Sequence, residues 1–325
     1  MEKSQSVIKE TAGQYWRPRR FGHANMYIGS YERAAEYYRD IVGFVEVYRQ
    51  PNNMAAFMSN GNTYHDLGLT DIHSPYCKPD QKPDLWHLAF EVENEVDLVD
   101  GYNRAIEAGI KFEMTEDHDV AHALYFVDPD RLLVEVYADV MDDWHSHRKG
   151  TFNEVKTSYV PGVTSKPVAE KLYPDNPRLE VVKEALFHPK KATHAALVTS
   201  KFEEMYAFYT GIIGLSPLVG SPESSVAVLR GTVGTGDLTL YRHRPGLQPG
   251  FHHVGFEVWD EDDLDRSITA LAGKGISVEQ VSDHPARRSV TIIDPDGIRL
   301  QFFVNRDWTP EVIKTVDDET ALYLL

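Results

Sequence analysis

Three residues of types that hold metal ions recur at matched spacing along the chain, and one copy is complete. His23, His87 and Glu135 lie in the first half; His194, His253 and Gln301 lie in the second. His87 and Glu135 are 48 residues apart, as are His253 and Gln301. The flanks agree: "LWHLAFEV" answers "FHHVGFEV", and "DPDRLLVEVY" answers "DPDGIRLQFF". Two neutral imidazoles and a carboxylate make the facial triad that suits Fe(II) and leaves positions open for substrate and O₂. In the second copy an amide replaces the acid, and an amide is a poorer ligand for a hard divalent ion. The pattern predicts chemistry in the first half and a vestigial site in the second. There His252 competes with His253 for the ligand position, and alignment with His87 favours His253.

The elements that must position these residues repeat too. "SYERAAEYYRDIVGF" predicts an amphipathic helix stopped at Gly43, and "SKFEEMYAFYTGIIGL" predicts its copy, stopped at Gly214. Those glycines are 171 residues apart, the offset of His23 and His194. "VDLVDGYNRAIEAGI" and "DDLDRSITALAGKGI" predict a second pair of helices with glycine stops at Gly109 and Gly275. Their offset is 166, that of His87 and His253, so the first half carries about five extra residues, placed in the proline-rich loop "TDIHSPYCKPDQKPD". Alternating stretches such as "YFVDPDRLLVEVYA" predict strands joined by a turn at 128–130. The fold class is therefore α+β, with four strand–helix–strand units in tandem. The expected boundaries are an arm over 1–20, a metal-binding half over 21–140, a polar connector over 141–190, a degenerate half over 191–306 and a tail over 307–325.

Composition narrows the partners. At 325 residues, with 42% hydrophobic and 11% aromatic residues, the chain can bury two cores. A net charge of −17 argues against nucleic acid and anionic membrane surfaces. Cys77 is the only cysteine, which excludes an internal disulfide and fits a reducing compartment. The first twenty residues hold no apolar signal core, and no run of about 18 apolar residues is present. A cytoplasmic, non-membrane chain is expected.

Four tandem βαβββ modules resemble the vicinal oxygen chelate superfamily, in which two modules pair their curved sheets into an open barrel around a metal. Over roughly residues 20–140, "GHANM", "TYHDLGLT" and "YFVDPDRLLVEVY" are similar to type I extradiol ring-cleavage dioxygenases of the homoprotocatechuate and catechol 2,3-dioxygenase kind. In those relatives the active module pair is C-terminal; here the matching pair is N-terminal. The resemblance implies Fe(II), or Mn(II) in its place, on His23, His87 and Glu135. It implies His65, which "TYHDLGLT" places on a strand preceding the His87 loop, as an acid–base residue, Tyr125, ten residues before the glutamate, on the substrate hydroxyl, and His118 as a further proton-handling group. Asn25 and His122 are implied as substrate contacts. It also implies a small aromatic diol, a catechol or trihydroxylated arene, with O₂ as co-substrate, and a homo-oligomeric assembly. His118 has a repeat partner in His284, whereas His65 and Tyr125 are answered only by Gly236 and Thr291. Two rivals share the fold: a 4-hydroxyphenylpyruvate-type oxygenase, which needs no His65/Tyr125 pair, and a non-catalytic ligand-sequestering protein of the bleomycin-resistance sort. The stretch "EMTEDHDVAH" carries Glu113, Glu116, Asp117 and Asp119 and no arginine. A neutral or hydrophobically substituted ring is expected, unless Arg148 or Lys149 reaches in from the connector.

Overall fold

The computed structural model describes residues 14–155 and 157–324; most of the expected N-terminal arm, residues 1–13, lies outside the described residues. The first module runs β1 (Arg20–Ile28), α1 (Tyr31–Tyr37), β2 (Glu46–Gln50), β3 (Ala55–Met58) and β4 (Leu67–Asp71). The second runs β5 (Asp84–Glu91), α2 (Glu95–Glu107), β6 (Met114–Asp117), β7 (Ala121–Val127) and β8 (Leu133–Asp139). Ser30 and Asn94 cap the two helices by accepting from the backbone amides of Arg33 and Asp97. The modules meet where β1 pairs antiparallel with β5, while β4 and β8 lie parallel to β1 and β5 on the outer sides.

The connector is more than a linker. After α3 (Trp144–His147) it forms β9 (Gly150–Thr151), which pairs with the edge strand β2, and β10 (Thr157–Ser158), which pairs with the opposite edge strand β6. Five residues separate β9 from β10. A chain that short spans roughly 20 Å at most, so the ten-stranded sheet must curl until its edges nearly meet. The result is a barrel with a strap across its open side.

The second half repeats this plan in an eight-stranded sheet. It comprises β11 (Pro189–Thr199), α4 (Phe202–Ala207), β12 (Ser216–Val219), β13 (Val226–Arg230), β14 (Leu238–Arg242), β15 (Gly250–Val258), α5 (Glu261–Ala270), β16 (Ser277–His284), β17 (Arg287–Ile293) and β18 (Arg299–Asn305). The tail ends in α6 (Asp318–Leu324), whose Ala321, Leu322 and Leu324 pack with Val228 and Tyr241 in a separate small core.

The halves bury polar contacts that come in matching pairs. The amide of Phe21 donates to Asp237 (2.7 Å), and the amide of Ala192 donates to Asp66 (3.0 Å). Tyr38 donates its hydroxyl to Asp294, and Tyr209 to Asp128, each at 3.0 Å. Every residue of one contact is the repeat partner of a residue in the other. Trp16 of the arm lies beside this seam: its ring stacks on Phe126, and its Nε1 donates to the Leu98 carbonyl of α2 at 3.1 Å.

Trp16 needs the absent side chain of Gly101, because a Cβ there would stand 2.0 Å from the indole Nε1. Alanine is the better helix former, yet Gly101→Ala is expected to destabilise the protein by about 1–3 kcal/mol through overpacking. Urea denaturation checks the sign; a stabilised variant would show that Trp16 does not hold this seat. No helix among the described residues is long and apolar enough to cross a membrane.

Candidate metal centre

The barrel of the first half gathers three of the expected residues at its centre. On β1 the register slips at Gly22, which sets His23 opposite Ala89 and Arg20 opposite Glu91. Only glycine fits at the slip, since a Cβ would lie 2.5 Å from the Tyr137 ring. His87 on β5 pairs with Asn25, and Glu135 on β8 pairs with Ala89, so the three side chains enter from adjacent strands. One oxygen of Glu135 lies 3.0 Å from His23 Nε2 and 3.1 Å from His87 Nε2. All three residues are buried, and their candidate ligand atoms lie within 4.8 Å of one another. Among the described residues this is the one such group of three or more histidine, cysteine, aspartate or glutamate side chains.

The electrostatics fit a divalent ion. Burial alone would raise the Glu135 carboxyl, but the charges and hydrogen bonds of His23 and His87 hold it well below the usual carboxylate range. Burial lowers His87, favouring the neutral imidazole. An ionised carboxylate and deprotonated imidazoles are the states a metal requires. The second Glu135 oxygen is buried with no hydrogen-bond partner, a vacancy in protein contacts that suits coordination.

Above the triad lies a cavity that opens toward solvent, with Phe57, Tyr76, Trp86 and Met114 among its walls. Tyr76 arrives on the loop that holds the first half's extra residues. His65 faces this space from the turn just before β4, rather than from within a strand. Its Nδ1 lies 3.1 Å from the Tyr48 hydroxyl, its Nε2 is buried with no partner, and its ring centre is 4.0 Å from that of His23. Burial first, and the neighbouring His23 next, push its pKa well below 6.5. Asp66 is not the partner of His65: its carboxylate accepts from Ser59, Asn62 and the Ala192 amide.

Tyr125 on β7 stands directly opposite Glu135 on β8. Its hydroxyl lies 2.9 Å from His118 Nε2, and burial, then the Glu135 charge, push it well above the usual tyrosine range. Burial would lower His118, but Glu154, Glu135 and Glu116 outweigh it, so its pKa is raised. Asn25 also lines the cavity, with its side-chain oxygen buried and unpartnered.

His122 is a correction. It sits three residues from Tyr125 on the same strand, so it projects to the opposite face. There its Nδ1 meets Glu95 of α2 at 2.7 Å and its ring stacks on Tyr159, away from the cavity. It is a packing residue of the sheet's outer face.

Several cavity residues carry no sequence motif. Tyr48 belongs to β2, where only its alternation with Gln50, also a wall residue, could have marked it. Arg148 and Glu154 come from the connector. The Arg148 guanidinium is buried, bonds the His118 carbonyl, lies 3.2 Å from Glu154 and sits over the rings of Tyr48 and Phe152. Glu154 in turn lies 3.5 Å from His118 Nδ1, while Asn52 donates to the Glu154 carbonyl. The strap therefore closes the barrel and also delivers charged groups into it.

The corresponding centre of the second half is built differently. His194 and His253 face each other with ring centres 5.6 Å apart, and His252 Nδ1 lies 2.8 Å from His253 Nδ1. Gln301 accepts from the buried guanidinium of Arg287 at 3.3 Å. A fixed cation at that oxygen opposes a metal cation there.

The chain is similar to known proteins in sequence and in fold. Residues 20–136 and 191–302 match the family described as Glyoxalase/Bleomycin resistance protein/Dioxygenase superfamily. A catechol-2,3-dioxygenase of Bacillus subtilis (strain 168) is 27% identical over 241 residues, 73% of this chain and 74% of that protein. The 2,3-dioxygenase LapB from Pseudomonas sp. KL28 superposes with a TM-score of 0.65 at 16% identity, over 91% of this chain and 96% of that one. Homoprotocatechuate 2,3-dioxygenase from Brevibacterium fuscum, in its complex with 3,4-dihydroxyphenylacetate, superposes with a TM-score of 0.62 at 17% identity, over 93% and 85%.

Proposed function

The chain belongs to the Glyoxalase/Bleomycin resistance protein/Dioxygenase superfamily, and on that premise we propose that it is an extradiol dioxygenase. It opens the ring of a catechol or trihydroxylated arene beside the diol, using O₂ and Fe(II), with Mn(II) as the alternative ion. The observation that carries this reading is one cavity shared by the His23–His87–Glu135 group, a buried His65 and the Tyr125–His118 pair. A ligand-sequestering protein has no use for two proton-handling groups beside a metal triad.

A divalent ion on the triad would supply Lewis acidity and a template for the diol and O₂. The side chains around it have distinct tasks. With its Nδ1–H donated to Tyr48, His65 presents the Nε2 lone pair to the cavity. It can take a proton from a diol hydroxyl there and return it as the ring opens. His118 orients the Tyr125 hydroxyl, which is then placed to hydrogen-bond a substrate oxygen. Asn25 offers an unpartnered amide oxygen to a second hydroxyl. The aromatic walls offer their faces to a flat ring.

The decisive experiment is anaerobic reconstitution with Fe(II), followed by O₂ uptake against a panel of catechols with the absorbance of yellow ring-opened products recorded. A metal-replete protein that consumes no O₂ with any of them refutes the proposal.

Substrate charge follows from the strap. Arg148 does reach the cavity, but Glu154 lies 3.2 Å from it and Glu116 is a further wall residue. A substrate carboxylate would meet more acid than base. We therefore expect kcat/KM for 4-methylcatechol to exceed that for homoprotocatechuate by roughly tenfold or more at equal ionic strength. A preference for the acid would overturn the charge argument and leave ring cleavage standing.

A further inference from the structure

The second half carries a buried guanidinium whose hydrogen-bond partners are both neutral. Arg287 on β17 is 4% exposed. Its Nε donates to Asn305 at 2.9 Å and its Nη1 to Gln301 at 3.3 Å, both neutral amide oxygens. Its guanidinium lies 3.9 Å from the centre of the Phe303 ring, with Trp308 beyond. Among the described residues no carboxylate forms an ion pair with it. Buried charges are normally paired or bound to an ion. Burial draws the Arg287 pKa down to about 9, against the raising effect of Tyr241 and of Glu257.

Arg287 is not sealed in. It lines a narrow cavity with His194, Phe303 and Trp308. That cavity shares Thr193, Thr235, Gly236 and Glu257 with a cleft between the two halves. The cleft wall holds Arg19, Arg20, Lys190 and Lys191 together with Asp175, Asp237 and Glu257; Arg19 and Arg20 pair with Glu91, and Lys190 pairs with Glu257.

We propose that this cavity is a binding site for a small organic monocarboxylate, whose carboxylate meets Arg287 and whose carbon body lies against Phe303 and Trp308. A planar fork of donors suits a carboxylate, and the two rings suit an apolar body. Glu257 on the shared wall disfavours a dianion such as phosphate. The site lies in the half without the metal triad, so it is separate from the catalytic cavity.

Thermal unfolding of the full chain in sodium acetate or sodium benzoate, against sodium chloride at matched ionic strength, tests this. The wild type should show a saturable rise in Tm of roughly 2–5 °C with the carboxylates. Arg287→Met should lose the rise, and its Tm in chloride should not fall below the wild type, because an uncompensated buried charge has been removed. Arg287→Lys keeps the charge without the fork and should need roughly tenfold more carboxylate; it serves as the readout should the methionine variant fail to fold. An equal rise in wild type and Arg287→Met, no saturable rise with either carboxylate, or an equal effect of phosphate would each overturn the proposal.

Discussion

Glu135→Ala is expected to empty the first half's metal centre and abolish turnover. The carboxylate is the only anionic member of the group, and one of its oxygens lies within 3.1 Å of both imidazoles. Without it, two neutral imidazoles remain to hold a dication, and the second half offers no substitute, because Arg287 already occupies the Gln301 oxygen. Metal analysis of the purified variant should fall from one ion per chain to near none, with ring-cleavage activity at background. Glu135→Gln, which copies the second half's amide, should behave similarly, since an amide neither carries charge nor binds a hard ion well. Metal content and turnover unchanged in Glu135→Ala would sink the assignment of this centre.

His65→Phe should give the opposite division: metal retained, chemistry slowed. The imidazole lies beside the triad but outside it, with one nitrogen held by Tyr48 and the other unpartnered. Phenylalanine fills the ring's space against Phe57 and Tyr64. Loss of a general acid–base group typically costs roughly 10²–10⁴-fold in rate, which should appear in kcat with metal occupancy intact. Wild-type turnover in a metal-replete His65→Phe protein would return the residue to a packing role.

Much of this was legible in the sequence, for a physical reason. A duplicated chain reports twice on its own constraints. The offsets of 171 and 166 located the helices and fixed which histidines belong together, and the strands then brought His23, His87 and Glu135 to one point. His122 was misplaced where a phase argument was available: three residues from Tyr125 on a strand means the opposite face. The turn position of His65 was hidden because "HDLGLT" alternates like a strand, while the pairing of β4 begins only at Leu67. Tyr48, Arg148 and Glu154 were beyond reach for a different reason. Arg148 and Glu154 are brought in by a strap that pairs with both sheet edges, about a hundred residues away at β2 and about forty at β6, with no periodicity to announce either contact, and Tyr48 lies on the β2 edge that the strap covers.

The paired contacts across the seam have a consequence for how such a chain can change. Phe21 with Asp237 repeats as Ala192 with Asp66, and Tyr38 with Asp294 repeats as Tyr209 with Asp128. Where residue i meets j and j meets i, the interface is isologous, the arrangement of a twofold-symmetric homodimer. Joined in one chain, the two copies keep that symmetry while losing the obligation to share a sequence. In a homodimer, one codon change would convert both metal centres at once. Here glutamate can become glutamine in one copy and an arginine can fill that copy's barrel, while the other copy keeps its triad and the seam between them stays as it was.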